Sequence, residues 1–242
     1  MSDWHPWWAA HLPGLHPHLA FESLAVVVGL ALTLRRRRAR APTPLPVTVC
    51  ALVGAVVGAR MLGLLVDPAE TWALRFTWGG WLMQKTVVGG ILGGWLAVEL
   101  AKRALQLRES TADHFVQPLI VAMGIGRLGC FFSGVADRTH GTPSHLPWAV
   151  DLGDGISRHP LALYELLVLA TLLAITASRR LAPRQRWRVF VFAYMGWRLA
   201  SAPLAPPAPV LGPLTTIQIA AVVGMIWSAV GLWRAPHTPT AD

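Results

Sequence analysis

Residues 46–66 read PVTVCALVGAVVGARMLGLLV, an apolar run broken by a single charge, Arg60. A helix crossing a bilayer needs roughly 20 mainly apolar residues, and this stretch supplies them. Six further stretches follow the same pattern, at 19–34, 86–101, 116–133, 160–178, 188–204 and 214–233. The whole chain has 242 residues, 54% of them hydrophobic and only 14% charged. Soluble domains carry about a quarter charged residues. The reading is therefore an all-α, polytopic membrane protein of about seven transmembrane helices, forming a single integral membrane domain over 1–242. Residues 1–18, rich in Trp, His and Pro, form an interfacial segment, because tryptophan prefers the membrane–water boundary. They lack the basic start of a cleavable signal. Pro6, Pro13 and Pro17 break any regular spacing of histidine ligands, so no metal site is expected.

The net charge of +9 would suit nucleic acid, but its placement points elsewhere. The cations cluster beside apolar runs, as in Arg35 to Arg38 and in Arg179 to Arg188. Loops on the cytoplasmic face of membranes carry such an excess. With the N-terminus outside, only Arg75, Lys85, Arg138 and Arg158 fall on outer segments. Arg60, Arg127 and Arg198 fall inside spans, and the other 14 of the 21 Lys and Arg residues fall on inner ones. The chain thus reads as N-terminus out and C-terminus in, with no nucleic-acid partner. On this topology Cys50 and Cys130 sit near opposite ends of their spans, so no disulfide is expected.

Small residues recur within the spans. Gly54 and Gly58, and Gly89, Gly90, Gly93 and Gly94, let helix backbones approach without intervening side chains. The long segment 134–158 (GVADRTHGTPSHLPWAVDLGDGISR) reads as an outer loop of functional length. The proline-rich 203–213 reads as a stiff crossing.

Arg60, Arg127 and Arg198 are the most informative residues. A charge at the bilayer centre costs about 2.5–3.5 kcal/mol even on the lenient insertion scale. Each lies about six residues in from the outer end of its span, or roughly 9 Å at helical rise. One depth on three helices points to a shared polar cavity. Glu22, Lys85, Thr86, His159, Tyr164, Glu165 and Gln218 fall in the same layer. Arginine suits bidentate phosphate contact, so a phospholipid head group is the expected ligand. Lysine or arginine snorkelling to the surface, and helix packing, are the alternative uses of these residues.

Three motifs resemble a known family. GRLGCFFSG, Gly126 to Gly134, is similar to the signature G-R-x-G-N-F-x-N-G-E of the phosphatidylglycerol:prolipoprotein diacylglyceryl transferases. RHPLALYE, Arg158 to Glu165, resembles R-H-P-S-Q-L-Y-E, and GARMLG, Gly58 to Gly63, resembles G-G/A-R-L-G-Y. Weaker echoes, VGGILG from Val88, Tyr194 to Arg198 and LTTIQI from Leu214, keep family order. The resemblance implies a seven-helix enzyme of the bacterial inner membrane with its site toward the outer leaflet. It implies transfer of a diacylglyceryl group from phosphatidylglycerol to the cysteine thiol of a lipobox-containing preprolipoprotein, without a cofactor.

Carried over by position, Arg127 and Arg198 match the arginines that hold phosphate and developing charge. The family's His before Gly-Gly is Val88 here, its signature Asn residues are Cys130 and Ser133, its Glu is Val135, and its first-span Tyr falls at Glu22. The missing histidine makes His140 the preferred base, because an imidazole pKa of about 6.5 suits proton removal near neutrality, with Asp137 as the runner-up. Arg60, Lys85, Thr86, Glu22, His159 and Tyr164 are the expected substrate-binding residues. A related transferase with another acceptor or lipid, and a non-catalytic lipid-binding or transport protein, are the competing functions.

Overall fold

The computed structural model describes residues 17–39, 43–68, 85–107, 111–137, 139–178, 180–182, 184–206, 210–211 and 214–234. Among them are seven α-helices: α1 Pro17–Ala39, α2 Leu45–Val66, α3 Val87–Ala104, α4 Asp113–Ser133, α5 Leu161–Ala177, α6 Arg186–Ala200 and α7 Thr216–Trp233. Their order and limits follow the seven apolar runs. Four of them, α1, α2, α4 and α7, are long and apolar enough to cross a membrane. Their apolar side chains are widely exposed, among them Val26, Val27, Leu52, Val53, Val56 and Ile226. Such faces suit hydrocarbon rather than water, as an integral membrane protein requires.

The residues cluster into two compact units. One comprises Met1–Ala39, Gln117–Ser178 and Ala200–Pro207; the other comprises Arg40–Val116, Arg179–Leu199 and Ala208–Asp242.

In the first unit, α1 lies against α4. Phe21 and Phe132 stack with ring centroids 5.5 Å apart, and a Cβ at Gly129 would come within 2.7 Å of the Phe21 Cβ. Arg36 of α1 donates to the side-chain carbonyl of Gln117. The segment between α4 and α5 holds more order than a loop reading suggests. A 3-10 turn, Gly134–Asp137, is followed by strands β1 Val150–Asp151 and β2 Ser157–Arg158, paired antiparallel with Val150 opposite Arg158. The connecting DLGDG turns on one side chain: Asp151 Oδ1 accepts from the amides of Gly153, Asp154 and Gly155. Gly153 and Gly155 adopt positive φ, which glycine does without strain.

In the second unit, α2 and α3 cross with their glycines in contact. A Cβ at Gly58 would lie 2.4 Å from the Gly89 carbonyl oxygen, and one at Gly93 would lie 2.4 Å from that of Gly54. Real Cβ atoms do not approach backbone so closely, so only glycine allows this spacing. Thr86 fixes the entry to α3: its Oγ1 accepts from the Gly89 amide, and its own amide donates to the Ala59 carbonyl of α2 at 3.0 Å. Thr215 and Gln218 form a reciprocal capping box on α7, and the Thr216 hydroxyl donates to the Leu65 carbonyl. Asp113, at the start of α4, accepts from the amides of Arg184 and Trp187 and so caps α6. The proline-rich 203–213 contains a 3-10 turn, Ala202–Leu204, and a short hairpin of Val210–Leu211 with Leu214–Thr215, where the sequence suggested only a stiff crossing. Two residues between paired strands suffice to close a hairpin.

Candidate functional site

Arg127 sits six residues before the end of α4 and Glu165 in the first turns of α5. Their side chains meet: Arg127 Nε lies 2.8 Å from Glu165 Oε1, with only 12% and 4% of the two side chains exposed. A buried pair of this kind is a poor route to stability. Stripping water from both ions costs several kcal/mol each, and the mutual attraction does little more than repay it. Its value is to hold a guanidinium in one orientation where water is scarce. A second donor of the same guanidinium reaches the Cys130 thiol at 3.7 Å. Cys130 is buried and free, as Cys50 is free. The family's signature Asn thus gives way here to a sulfur in van der Waals and weak hydrogen-bond contact with the arginine.

Next to Glu165, Tyr164 organises a second polar group. Its hydroxyl accepts from Trp148 Nε1 at 2.7 Å and lies 3.3 Å from His159 Nδ1. His159 is tied into the loop by backbone bonds. Its carbonyl accepts from Gly141, and its amide donates to Thr142. Gly141 is required there, since a Cβ would sit 2.4 Å from the His159 carbonyl oxygen. The Thr142 amide in turn donates to the Leu204 carbonyl. His140, half-buried, places Nδ1 at 3.2 Å from the Gly141 carbonyl. A carbonyl only accepts, so Nδ1 carries the proton in that bond, and Nε2 is left with its lone pair. Asp137, the other expected base, closes the 3-10 turn; its side chain lies outside the described residues, as Arg138 does.

The remaining expected residues divide between the units. Glu22 is on α1, one turn from His18, whose Nε2 is 3.6 Å from its carboxylate. Arg60, Lys85 and Thr86 belong to the second unit and flank the bond between Ala59 and Thr86. Thr86 spends its side chain on capping α3, a structural duty that its place in a list of polar residues did not reveal. Val88, where the family has histidine, is 1% exposed and packs as core. Arg198 lies in the last turn of α6, in the second unit.

Sequence reading placed Glu165 in the polar layer but did not pair it with Arg127. The signal was available: a carboxylate and a guanidinium, each near the same end of its own apolar span, have little else to neutralise them. Trp148 was missed because an exposed loop tryptophan carries no pattern.

Outside the membrane helices, the Arg158 guanidinium, which hydrogen-bonds Asp154 with Nε at 3.2 Å, holds the Asp154 carboxyl below its ordinary value. Backbone bonding from Ile156 adds to the effect, and burial opposes it.

Apolar helices of membrane length, with a guanidinium and a carboxylate buried together between two of them, define an integral membrane protein with a fixed cationic site. The chain belongs to the prolipoprotein diacylglyceryl transferase family, whose profile matches residues 14–234. Among its curated relatives, the phosphatidylglycerol–prolipoprotein diacylglyceryl transferase of Gloeobacter violaceus is 31% identical over 202 residues. That match covers 75% of this chain and 73% of the relative. The protein of the same description from Bordetella bronchiseptica is 32% identical over 161 residues, covering 61% of this chain and 59% of its own length. That from Leifsonia xyli is 27% identical over 224 residues, covering 79% and 66%.

Proposed function

We propose that the chain transfers the diacylglyceryl group of phosphatidylglycerol to the thiol of a lipobox cysteine in a preprolipoprotein. The observation that carries this reading is the buried Arg127–Glu165 pair, because it joins the two segments that most resemble the family's signatures. In the reaction the cysteine sulfur bonds to the terminal glyceryl carbon, and the bond from that carbon to the phosphate oxygen breaks. Glycerol phosphate leaves with the electron pair, and the thiol proton passes to a base.

Arg127, its direction fixed by Glu165, and Arg198 bind phosphate oxygens and meet the charge that grows as the phosphate departs. Preoriented donors of this kind contribute most where water is excluded. His140 Nε2 takes the thiol proton. A thiol with pKa near 8.5 is mostly protonated at neutral pH and reacts as thiolate. Arg60, Lys85, Glu22, His159 and Tyr164 bind and orient substrate. The bias of Lys and Arg along the sequence supports seven spans with the N-terminus out, the C-terminus in the cytoplasm, and a site facing the outer leaflet of a bacterial inner membrane.

One observation favours a second reading. Val88 is core where the family has histidine, so a related transferase with a different acceptor or lipid would keep the phosphate-holding arginines and change the proton-transfer set.

Thioether formation on a lipobox peptide, with phosphatidylglycerol as donor, tests the first reading directly. The expected result is transfer by the wild type and its loss in Arg127→Ala. A well-folded wild type that transfers nothing from phosphatidylglycerol would leave the second reading in its place. For the topology, single-cysteine variants at 37 and 140 are exposed to a membrane-impermeant thiol reagent in intact cells. Position 140 is expected to react and position 37 to stay protected.

A further inference from the structure

A second charged cavity lies in the unit that contains α3, α6 and α7, at the C-terminal end of α3. It encloses ≈ 160 Å³ and is lined by Trp95, Glu99, Lys102, Arg184, Trp187 and Arg188, with Ala112 at its edge. Nothing in the transferase reading uses it. Those of its lining residues that lie on α3 occupy the half of the helix away from Thr86. Those near α6 lie at its start, away from Arg198.

Its walls are unusual in two respects. Three cations face one carboxylate, and that carboxylate already has a partner: Lys102 Nζ lies 3.1 Å from Glu99 Oε1. Arg188 is braced by its bond to the Gly231 carbonyl of α7. Arg184, at φ +75°, is anchored through its amide to Asp113. The aromatic floor is rigid. Trp95 stacks on Trp227 at 4.0 Å and meets Trp187 edge-on at 6.0 Å. The second respect is the indole nitrogen of Trp187. The residue is 6% exposed, yet its buried Nε1 has no hydrogen-bond partner among the described residues. An orphaned buried donor costs about 1–3 kcal/mol, and an indole N–H can only donate. Whatever completes it must offer an acceptor atom. The space is far larger than the ~10–15 Å³ that one water needs, and the surrounding charge favours an acceptor that is an anion.

We infer that this cavity binds a phosphate group, with Trp187 Nε1 donating to one oxygen and Arg184, Lys102 and Arg188 supplying the opposing charge. The phosphate belongs either to an anionic lipid head group or to a free anion. The site is separate from the one proposed for transfer and does not rest on that proposal.

The full chain tests this in two arms. In neutral detergent it is titrated with inorganic phosphate while thermal unfolding is followed. In phosphatidylcholine nanodiscs with and without phosphatidic acid, retained lipid is counted by native mass spectrometry. The variants are Trp187→Phe, which keeps the ring and removes the N–H, and Arg184→Gln. Trp233→Phe, at an exposed position, is the control. Removing one hydrogen bond to a charged acceptor weakens binding about tenfold. Both cavity variants are expected to lose about that factor, and the control none. A response to inorganic phosphate assigns the site to a free anion; a response confined to phosphatidic acid assigns it to a head group. If the wild type responds to neither, or if Trp187→Phe and Arg184→Gln bind as the wild type does, the inference is wrong. Should Trp187→Phe fail to fold, Arg184→Gln alone decides.

Discussion

Two helix pairs in this molecule are joined in opposite ways. α2 and α3 meet through bare backbone, with Gly54 and Gly58 against Gly89 and Gly93 and no side chain between. α4 and α5 meet through a buried guanidinium and carboxylate. The first contact gains dispersion energy from close approach, which matters in lipid because no hydrophobic force drives apolar helices together. The second spends desolvation energy to hold two charges and returns little stability. A fold that already knows how to join helices cheaply has no packing reason for the costlier joint. The difference teaches where to look for chemistry: the expensive contact lies between the two signature segments.

The largest effect is expected at the ionic joint. Arg127→Ala leaves Glu165 buried without its guanidinium, which commonly costs about 3–5 kcal/mol, and removes a phosphate-holding cation. Transfer should fall at least about a hundredfold, by analogy with the ~2.7–4 kcal/mol of a lost oxyanion donor. The double variant Arg127→Met with Glu165→Leu sharpens the contrast. Its melting temperature should recover toward wild type while transfer stays lost. Recovery of transfer with the double variant would make the pair a packing device like the glycines.

His140→Ala comes next. Loss of a general base typically costs about 10²–10⁴ in rate, and stability should not change, since its one recorded side-chain bond is to a neighbouring carbonyl. A rate equal to wild type would leave the arginine field alone to activate the thiol.

The backbone joint responds to volume rather than charge. Gly93→Val puts a branched side chain where even a Cβ would collide with the Gly54 carbonyl. Overpacking of this kind costs about 1–3 kcal/mol, read as a lower melting temperature. Gly90→Ala on the same helix is the contrast, because a Cβ there meets only ordinary contacts near 3.5 Å, and it should be neutral or slightly stabilising. Equal penalties at both positions would break the account of the crossing.

The smallest effect lies in the loop. Asp154 has its pKa lowered in the folded hairpin by Arg158. Its contribution is therefore fully present above the ordinary carboxylate value near 3.9 and is lost as pH falls through the lower folded value. Both groups are near solvent, so the contribution is small and salt-sensitive. Acidification below about pH 4 should loosen the 150–158 hairpin, read as reduced amide protection at Ser157. Asp154→Asn should remove that pH dependence.

How much was legible depends on the residue. The seven helices could be read because apolar runs of membrane length have few other uses, and their limits in the structure differ from the runs by a few residues. The tendency of Gly58 and Gly93 to pack could be read from their spacing, but not that they meet each other. The DLGDG turn was open to reading, since aspartate and glycine are turn formers, yet the pairing of Val150 with Arg158 was not. The role of Thr86 was hidden because one threonine can cap a helix or touch a substrate with the same atoms.

Sequence by itself determined the helices, the sign and asymmetry of charge, the family motifs and the loss of histidine at Val88. Each of these is set by local composition or by residue identity. Tertiary structure alone decided that Arg127 lies on Glu165 and beside Cys130, that Asp113 caps α6, and that Trp187 turns an unmatched N–H into a cationic cavity. These join residues tens of positions apart in the chain. Periodicity along the sequence says which face a side chain occupies, but the partner across that face is chosen only when helices pack and every buried charge and donor must be answered.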